Sequence, residues 1–278
     1  MAAPSDAIAP PPPLVLPDAT PTLVAPAHWR AIDFISDLHL SAATPKAFDA
    51  WSRHLLDTPA DAVFILGDLF ELWIGDDLPA SSFEARCVDV LRRASRRKTI
   101  AFMPGNRDFL VGDAMLGRCG VMPLADPTIV VAFGERVLLS HGDALCLADA
   151  SYQRFRSVVR RAGTRRAFLG LPRAWRAAAA TALRRGSRRP HAGPPDAWAD
   201  VDDRAASGWL QAADAPRLIH GHTHTPRSHD LAGGTSRHVL SDWDLDTAAT
   251  PRADVLRWQP GRLERLAPSQ GESTPTDA

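Results

Sequence analysis

The hydrophobic positions of this chain fall into short runs of four or five, each closed by Gly, Pro or a small polar residue. Ala31-Ile-Asp-Phe-Ile35 leads into Ser36-Asp-Leu-His39, and Ala62-Val-Phe-Ile-Leu66 into Gly67-Asp68. Thr99-Ile-Ala-Phe-Met103 leads into Pro104-Gly-Asn-Arg-Asp108. Val137-Leu-Leu-Ser140 runs into His141-Gly-Asp143, and Arg217-Leu-Ile219 into His220-Gly-His-Thr-His224. Runs of that length between chain-turning residues predict strands buried on both faces. Phe83 to Arg97 has helical spacing, so the order predicts an α/β layered fold with functional residues on loops at strand ends. Thr128 to Leu139, broken at Gly134-Glu135, predicts a hairpin. Ser236 to Leu240, Ala253 to Trp258 and Arg262 to Leu266 are expected to add strands to a second sheet.

The ends and one internal stretch break this pattern. Residues 1–28 hold eight of the 24 prolines and almost no charge, which predicts an extended or disordered tail. A second, Ser/Thr/Pro-rich tail is expected over 268–278. Ala150 to Pro195 carries twelve arginines and no acidic residue, with Phe155, Val158, Phe168, Leu171 and Trp175 between them at mostly helical spacing. Lying between the His141 and His222 motifs, residues 150–200 are read as an Arg-rich helical insertion beside the site, and 29–149 with 201–267 as the main domain. Its interleaved apolar and basic residues would give helices with an apolar side and a cationic rim. The plainer reading is that arginines solvate surface helices in a chain with 30 Arg and only two Lys.

Composition adds bounds. Basic and acidic residues balance at 32 each, so net charge names no partner. Three scattered cysteines without a CxxC pair favour a reducing compartment and argue against a thiolate zinc site. No apolar run approaches the roughly 18–20 residues of a membrane span. The N-terminus lacks the basic start of a signal peptide. A cytosolic protein, touching a membrane from that side, is expected.

Five loops bring metal-ligand types to strand ends: Asp37 and His39, Asp68, Asn106, His141, and His222 with His224. Carboxylate, amide oxygen and imidazole together suit Mn, Fe, Zn or Co. Seven ligands exceed the needs of one ion. A pair roughly 3.5–4 Å apart, sharing a carboxylate, would use them, and Asp68 is the chosen bridge. His28, His54, His191, His229 and His238 lack motif context and are read as surface or structural; His220 is read as the end of a buried strand.

This ordered set resembles the calcineurin-like metallophosphoesterases over residues 31–245. The resemblance implies a sandwich of two sheets flanked by helices, with an inserted helical cap. It also implies that Asp37, His39, Asp68 and His224 hold one metal and Asp68, Asn106, His141 and His222 the other, with water attacking phosphorus in line. Arg107 stands where most members carry histidine. With Gly67-Asp-Leu-Phe-Glu-Leu-Trp-Ile-Gly-Asp-Asp77 and His141-Gly-Asp-Ala-Leu-Cys146, the chain is similar to the UDP-2,3-diacylglucosamine hydrolase family. That resemblance implies Mn2+-dependent cleavage of an acylated UDP-sugar to UMP and lipid X in lipid A synthesis. It implies a peripheral place on the cytoplasmic face of the bacterial inner membrane and no nucleic-acid partner.

The same resemblance makes Asp68, Asn106 and Arg107 catalytic, and Asn106, Arg107, Asp149, Ser187, His191 and His222 substrate contacts. The family's cap asparagine falls on His191 and its cap lysine on Pro194, so a basic contact from Arg188 or Arg189 is expected. Thr225 stands where arginine is usual. A nuclease or related phosphodiesterase, with the basic stretch gripping a phosphate backbone, is the enzymatic alternative. A binding scaffold would be expected to have lost ligands, and no G-x-S-x-G elbow supports a serine hydrolase.

Overall fold

The computed structural model describes residues 14–187 and 200–269, without side-chain placement for 183–187. In chain order the first half runs β1 (Thr22–Val24), β2 (Ile32–Ile35), α1 (Pro45–Asp57), β3 (Ala62–Leu66), α2 (Phe83–Ala94), β4 (Thr99–Met103), α3 (Asp113–Cys119) and β5 (Met122–Pro123). It continues through β6 (Thr128–Ala132) and β7 (Glu135–Ser140) to three helices, α4 (Ala150–Val159), α5 (Ala162–Leu169) and α6 (Arg173–Ser187). Then come α7 (Asp203–Ala213), β8 (Arg217–His220), β9 (Ser228–Asp230), β10 (Ser236–Val239), β11 (Val255–Gln259) and β12 (Arg262–Leu266).

Two six-stranded sheets result, ordered β12-β11-β2-β3-β4-β5 and β1-β6-β7-β8-β10-β9. The alternation of side chains along each central strand explains why both faces are apolar. Ile32, Phe34, Ala62, Phe64, Leu66, Ala101 and Met103 share one core with Val137, Leu139 and Ile219 of the opposite sheet. Ile35, Val63, Ile65, Ile100 and Phe102 face outward onto α1, α2 and α3. Leu138 and Leu218 do the same against α7. The β6–β7 hairpin turns through Phe133 and Gly134, both at positive φ (57° and 79°), as a two-residue turn requires.

Three expectations need correcting. Residues 14–28 are not a tail: Leu16 is buried against α7's core, and β1 pairs in parallel with β6. Proline content outweighed the short Thr-Leu-Val run, although Pro21 lies outside the paired residues and leaves their amide donors intact. Second, β11 and β12 join the first sheet, with β11 antiparallel to β2; only β10 enters the second. Third, at the other end Pro268 is buried and the Ser269 amide donates to His54 Nδ1.

Asp33, on the outward face of β2, accepts two hydrogen bonds from Arg257 of β11 (2.7 and 2.8 Å) and one from the Thr58 hydroxyl (2.6 Å). Burial works against its charge, but Arg257, His54 and Thr58 win and hold it at about 2. Arg257→Met is therefore expected to destabilise the fold by about 3–5 kcal/mol at neutral pH, because a fully buried carboxylate loses its cation. The stabilisation by Asp33 is complete above the unfolded value near 3.8 and lost as pH falls through about 2. Urea unfolding at several pH values checks this; a variant gap that persists at pH 2 contradicts the assignment.

Candidate metal centre

Strands β2, β3, β4, β7 and β8 all end on the same side, and the loops leaving them carry the seven expected ligands to one place. Five of these residues, Asp37, His39, Asp68, His222 and His224, have φ between 47° and 70°. Side-chain-bearing residues avoid this left-handed region, so five together mark backbone bent to aim side chains inward. Two glycines permit the approach. A Cβ on Gly105 would sit 2.1 Å from Asp68 Oδ1, and one on Gly221 2.3 Å from Asp37 Oδ2.

The inward groups form two clusters. Asp37, His39 and His224 can present ligand atoms to one ion, and Asp37, Asp68 and His141 to a second. Asn106 Oδ1 completes the second, 3.0 Å from both His141 Nε2 and His222 Nδ1. Asp37 belongs to both clusters. Its Oδ2, however, already accepts from Ser36 Oγ (2.6 Å) and the His222 amide (2.8 Å), leaving Oδ1.

Divalent cations fit this donor set. His39 Nε2 and His224 Nε2 face each other at 3.3 Å, and His224 Nε2 lies 3.3 Å from Asp37 Oδ1. Asp37 Oδ1 itself is buried without a hydrogen-bond partner. The far nitrogens face acceptors that orient the rings: His141 Nδ1 meets Leu66 O at 2.9 Å, and His224 Nδ1 and His39 Nδ1 lie 3.5 Å from the carboxylates of Asp242 and Glu71. Burial pushes His39 down to about 3 and His222 to about 4, keeping both neutral as ligands must be. Burial, reinforced by Asp108 and Asp37, pushes Asp68 up to about 7. Burial opposes charge on His141 too, yet Asp68 and Asp37 push it up to about 9. So much enclosed negative charge calls for cations.

Sequence reasoning missed the carboxylates that hold the loops. Asp108, fully buried, accepts from the amides of Gly105 (2.7 Å) and Leu69 (2.8 Å), locking the Asn106 loop to the Asp68 loop. Asp76 accepts from Gly112 and Met115 at the start of α3, and Asp77 pairs with Arg176 and Arg173 of α6. Both lie in the Gly67–Asp77 block, where residue type alone does not announce these bonds.

Among the expected substrate contacts, Asn106, Arg107 and His222 lie at the centre, and the Arg107 amide donates to Asp68 Oδ1 (2.7 Å). Asp149 caps α4, its side chain accepting from the Tyr152 amide (2.9 Å). Ser187 ends α6 without side-chain placement, and His191, Pro194, Arg188 and Arg189 lie outside the described residues. His220 ends β8, fully buried, as expected. His54, 1% exposed, sits 3.4 Å from Asp33 in the structural role expected of it.

The inserted stretch is helical through α4, α5 and α6. Arg176 is buried, donating to Leu171 O (3.0 Å) and to Ile74 O. Five of the seven exposed large hydrophobic residues among those described lie here: Phe155, Val158, Leu169, Leu171 and Trp175. Among the described residues no helix is long and apolar enough to cross a membrane.

Residues 31–226 match the family model for calcineurin-like phosphoesterase. The chain is 43% identical over 242 residues to the UDP-2,3-diacylglucosamine hydrolase of Ralstonia nicotianae, covering 83% of this chain and 90% of that protein. The enzyme of the same name from Aeromonas hydrophila is 42% identical over 242 residues, covering 84% and 98%. That from Neisseria meningitidis is 38% identical over 224 residues, covering 80% and 93%. Among solved structures, Vps29 from Entamoeba histolytica complexed with zinc is similar at 14% identity and a TM-score of 0.45, covering 85% and 98%. The chain belongs to the calcineurin-like phosphoesterases, within the family of the UDP-2,3-diacylglucosamine hydrolases.

Proposed function

We propose that this protein hydrolyses the pyrophosphate bond of UDP-2,3-diacylglucosamine, giving UMP and 2,3-diacylglucosamine 1-phosphate (lipid X) in lipid A synthesis. The observation that carries the reading is the convergence of seven ligand side chains beside Arg107, in a chain about 40% identical to enzymes of that name. Asp37, His39 and His224 would hold one divalent cation and Asn106, His141 and His222 the other, with Asp68 shared and manganese as the ion. When bound, the pair supplies Lewis acidity to phosphoryl oxygens and to water.

The chain's own groups do the rest. The planar donors of the Arg107 guanidinium suit a pair of phosphate oxygens. It holds the phosphoryl group and offsets charge building there, while the leaving phosphate departs without needing a proton. Helices α4 to α6 form the cap: their exposed apolar side chains take acyl chains and rest on the cytoplasmic face of the inner membrane, and their arginines meet anionic headgroups. Ser187, His191 and Asp149 border the headgroup, with Arg188 or Arg189 in place of a cap lysine.

The test is phosphorus NMR of metal-stripped protein with UDP-2,3-diacylglucosamine, with and without Mn2+, each reaction chelated before the spectrum. UMP and lipid X are expected only with Mn2+. Turnover by the stripped protein would overturn metal dependence. Turnover of a generic phosphodiester but not of this substrate would leave the metal centre and remove the substrate assignment.

A further inference from the structure

The first inserted helix reaches the metal loops mostly through polar contacts. Helix α4 has no buried residue, and its one ring contact there is Tyr152 stacked on His222, centroids 6.1 Å apart. Gln153 Nε2 donates to the carbonyls of Asp143 (2.7 Å) and Cys146 (3.1 Å). The Tyr152 hydroxyl and Arg156 Nε donate to Asp143 Oδ2 at 2.7 and 2.8 Å. Asp143 is fully buried two residues beyond His141. Arg160, the C-cap residue of α4, adds a bond to the same oxygen (3.0 Å) and a second to the Gly105 carbonyl (3.1 Å).

We propose that Arg160 is a positioning residue for the Asn106–Arg107 loop, contributed by the insertion. The Gly105 peptide is gripped from two sides: Asp108 takes its N–H (2.7 Å) and Arg160 its C=O. The next residue is Asn106, whose Oδ1 must meet His141 and His222, and after it comes Arg107. One guanidinium thus fixes the Asn106 loop relative to the His141 loop through Asp143, across only 3 Å on either side. Arg156 supplies the contrast. It binds Asp143 and lies 3.6 Å from Asp126, but makes no bond to Gly105. Because coupling is reciprocal, seating Arg160 on the Gly105 carbonyl and ordering the Asn106 loop favour each other, so cap and metal centre are linked through this residue.

The inference rests on Asn106 being a metal ligand, and the experiment separates the two. Mn2+ is titrated calorimetrically into the metal-stripped full-length protein, its Asn106→Ala variant, and the Arg160→Met, Arg160→Lys and Arg156→Met variants. Asn106→Ala is expected to lose one of two Mn2+ equivalents. Arg160→Met is expected to weaken that same equivalent by about 10–100-fold, the usual effect of losing a group that orients a ligand, and to leave the other unchanged. Its kcat should fall by about the same factor with KM nearly constant. Lysine keeps the charge and donors on a shorter side chain that lacks the planar fork, so it should recover part of both losses and carries the test should the methionine variant not fold. Arg156→Met should keep both equivalents and kcat within about threefold of wild type, far short of the effect expected at Arg160.

Loss at Asn106→Ala without any at Arg160→Met or Arg160→Lys overturns the positioning role and leaves the metal reading standing. Two full equivalents in Asn106→Ala overturn the reading beneath it. Equal loss in Arg156→Met and Arg160→Met also overturns the proposal, because the effect then belongs to the Asp143 ion pair and not to the Gly105 carbonyl.

Discussion

Asp68→Ala is expected to strip both metal ions from the protein, and with them all measurable turnover. Two divalent charges about 4 Å apart repel by roughly 16 kcal/mol at an effective dielectric constant of 20, so the second ion depends on the anion between them. Asp68 suits that place. Its Oδ1 accepts one backbone bond, from Arg107, and lies 3.8 Å from His141 Nε2, whereas Asp37 has already committed an oxygen to Ser36 and His222. Elemental analysis of the purified variant should find metal well below one equivalent, with affinity lower by more than the about 100-fold typical of losing a group that only orients a ligand. Asp37→Ala, in contrast, should lose the ion of the His39–His224 group and keep the other. The metal-free fold should not suffer at Asp68. Burial disfavours the ionised carboxylate there, so alanine removes an unfavourable charge, and the thermal midpoint without metal should hold or rise. If Asp37→Ala empties both sites and Asp68→Ala only one, the bridge belongs to Asp37.

Which residues are buried was legible in the chain, and so was the set of candidate ligands that the loops bring together, for one shared reason. A strand covered on both faces shows as an unbroken apolar run, and a loop that turns at once toward a metal shows as Gly beside Asp, Asn or His. What such a run does not contain is its neighbour. Leu256 and Trp258 read as a strand, but that they pair with Phe34 and Ile32 depends on contacts more than two hundred residues apart. The Thr22–Val24 strand was hidden for a different reason. It is three residues long, and its stability comes from β6 beside it. The same division runs through the site. Asp37 and His224 announce themselves by type and spacing. Asp108 and Asp143 act by holding loops, and nothing at their own positions distinguishes them from any acidic residue after a turn. Nor does composition reveal the left-handed backbone at His39 or His222, where the chain places imidazoles in a conformation that usually selects glycine. The insertion was legible as helical, yet its attachment was not. Arg160 is one of twelve arginines, and only the Gly105 carbonyl 3.1 Å away singles it out.

Arg107→Ala should lower kcat by about 10²–10³-fold while both metals stay bound, the effect of removing one preorganised charge from a phosphoryl transition state. The separation of the two effects follows from where the residue is tied. Its backbone, not its side chain, serves the metal centre: the amide donates to Asp68 Oδ1 (2.7 Å) and the carbonyl accepts from the Trp73 amide (3.2 Å). Alanine keeps both bonds, so Asn106 and Asp68 should remain in place. The guanidinium is free to act on substrate, and its charge is felt at the centre, where it adds to burial in holding His39 down at about 3. Arg107→Lys keeps that charge but offers donors from a single point, so it should recover binding more fully than turnover. Steady-state kinetics with UDP-2,3-diacylglucosamine, alongside metal content, reads all of this at once. A fall in metal content matching the fall in kcat would make Arg107 a support of the metal centre and remove it from the chemistry. Unchanged kcat in the alanine variant would leave the phosphoryl charge to the metals alone. A large kcat loss at full metal occupancy leaves the guanidinium as the missing group.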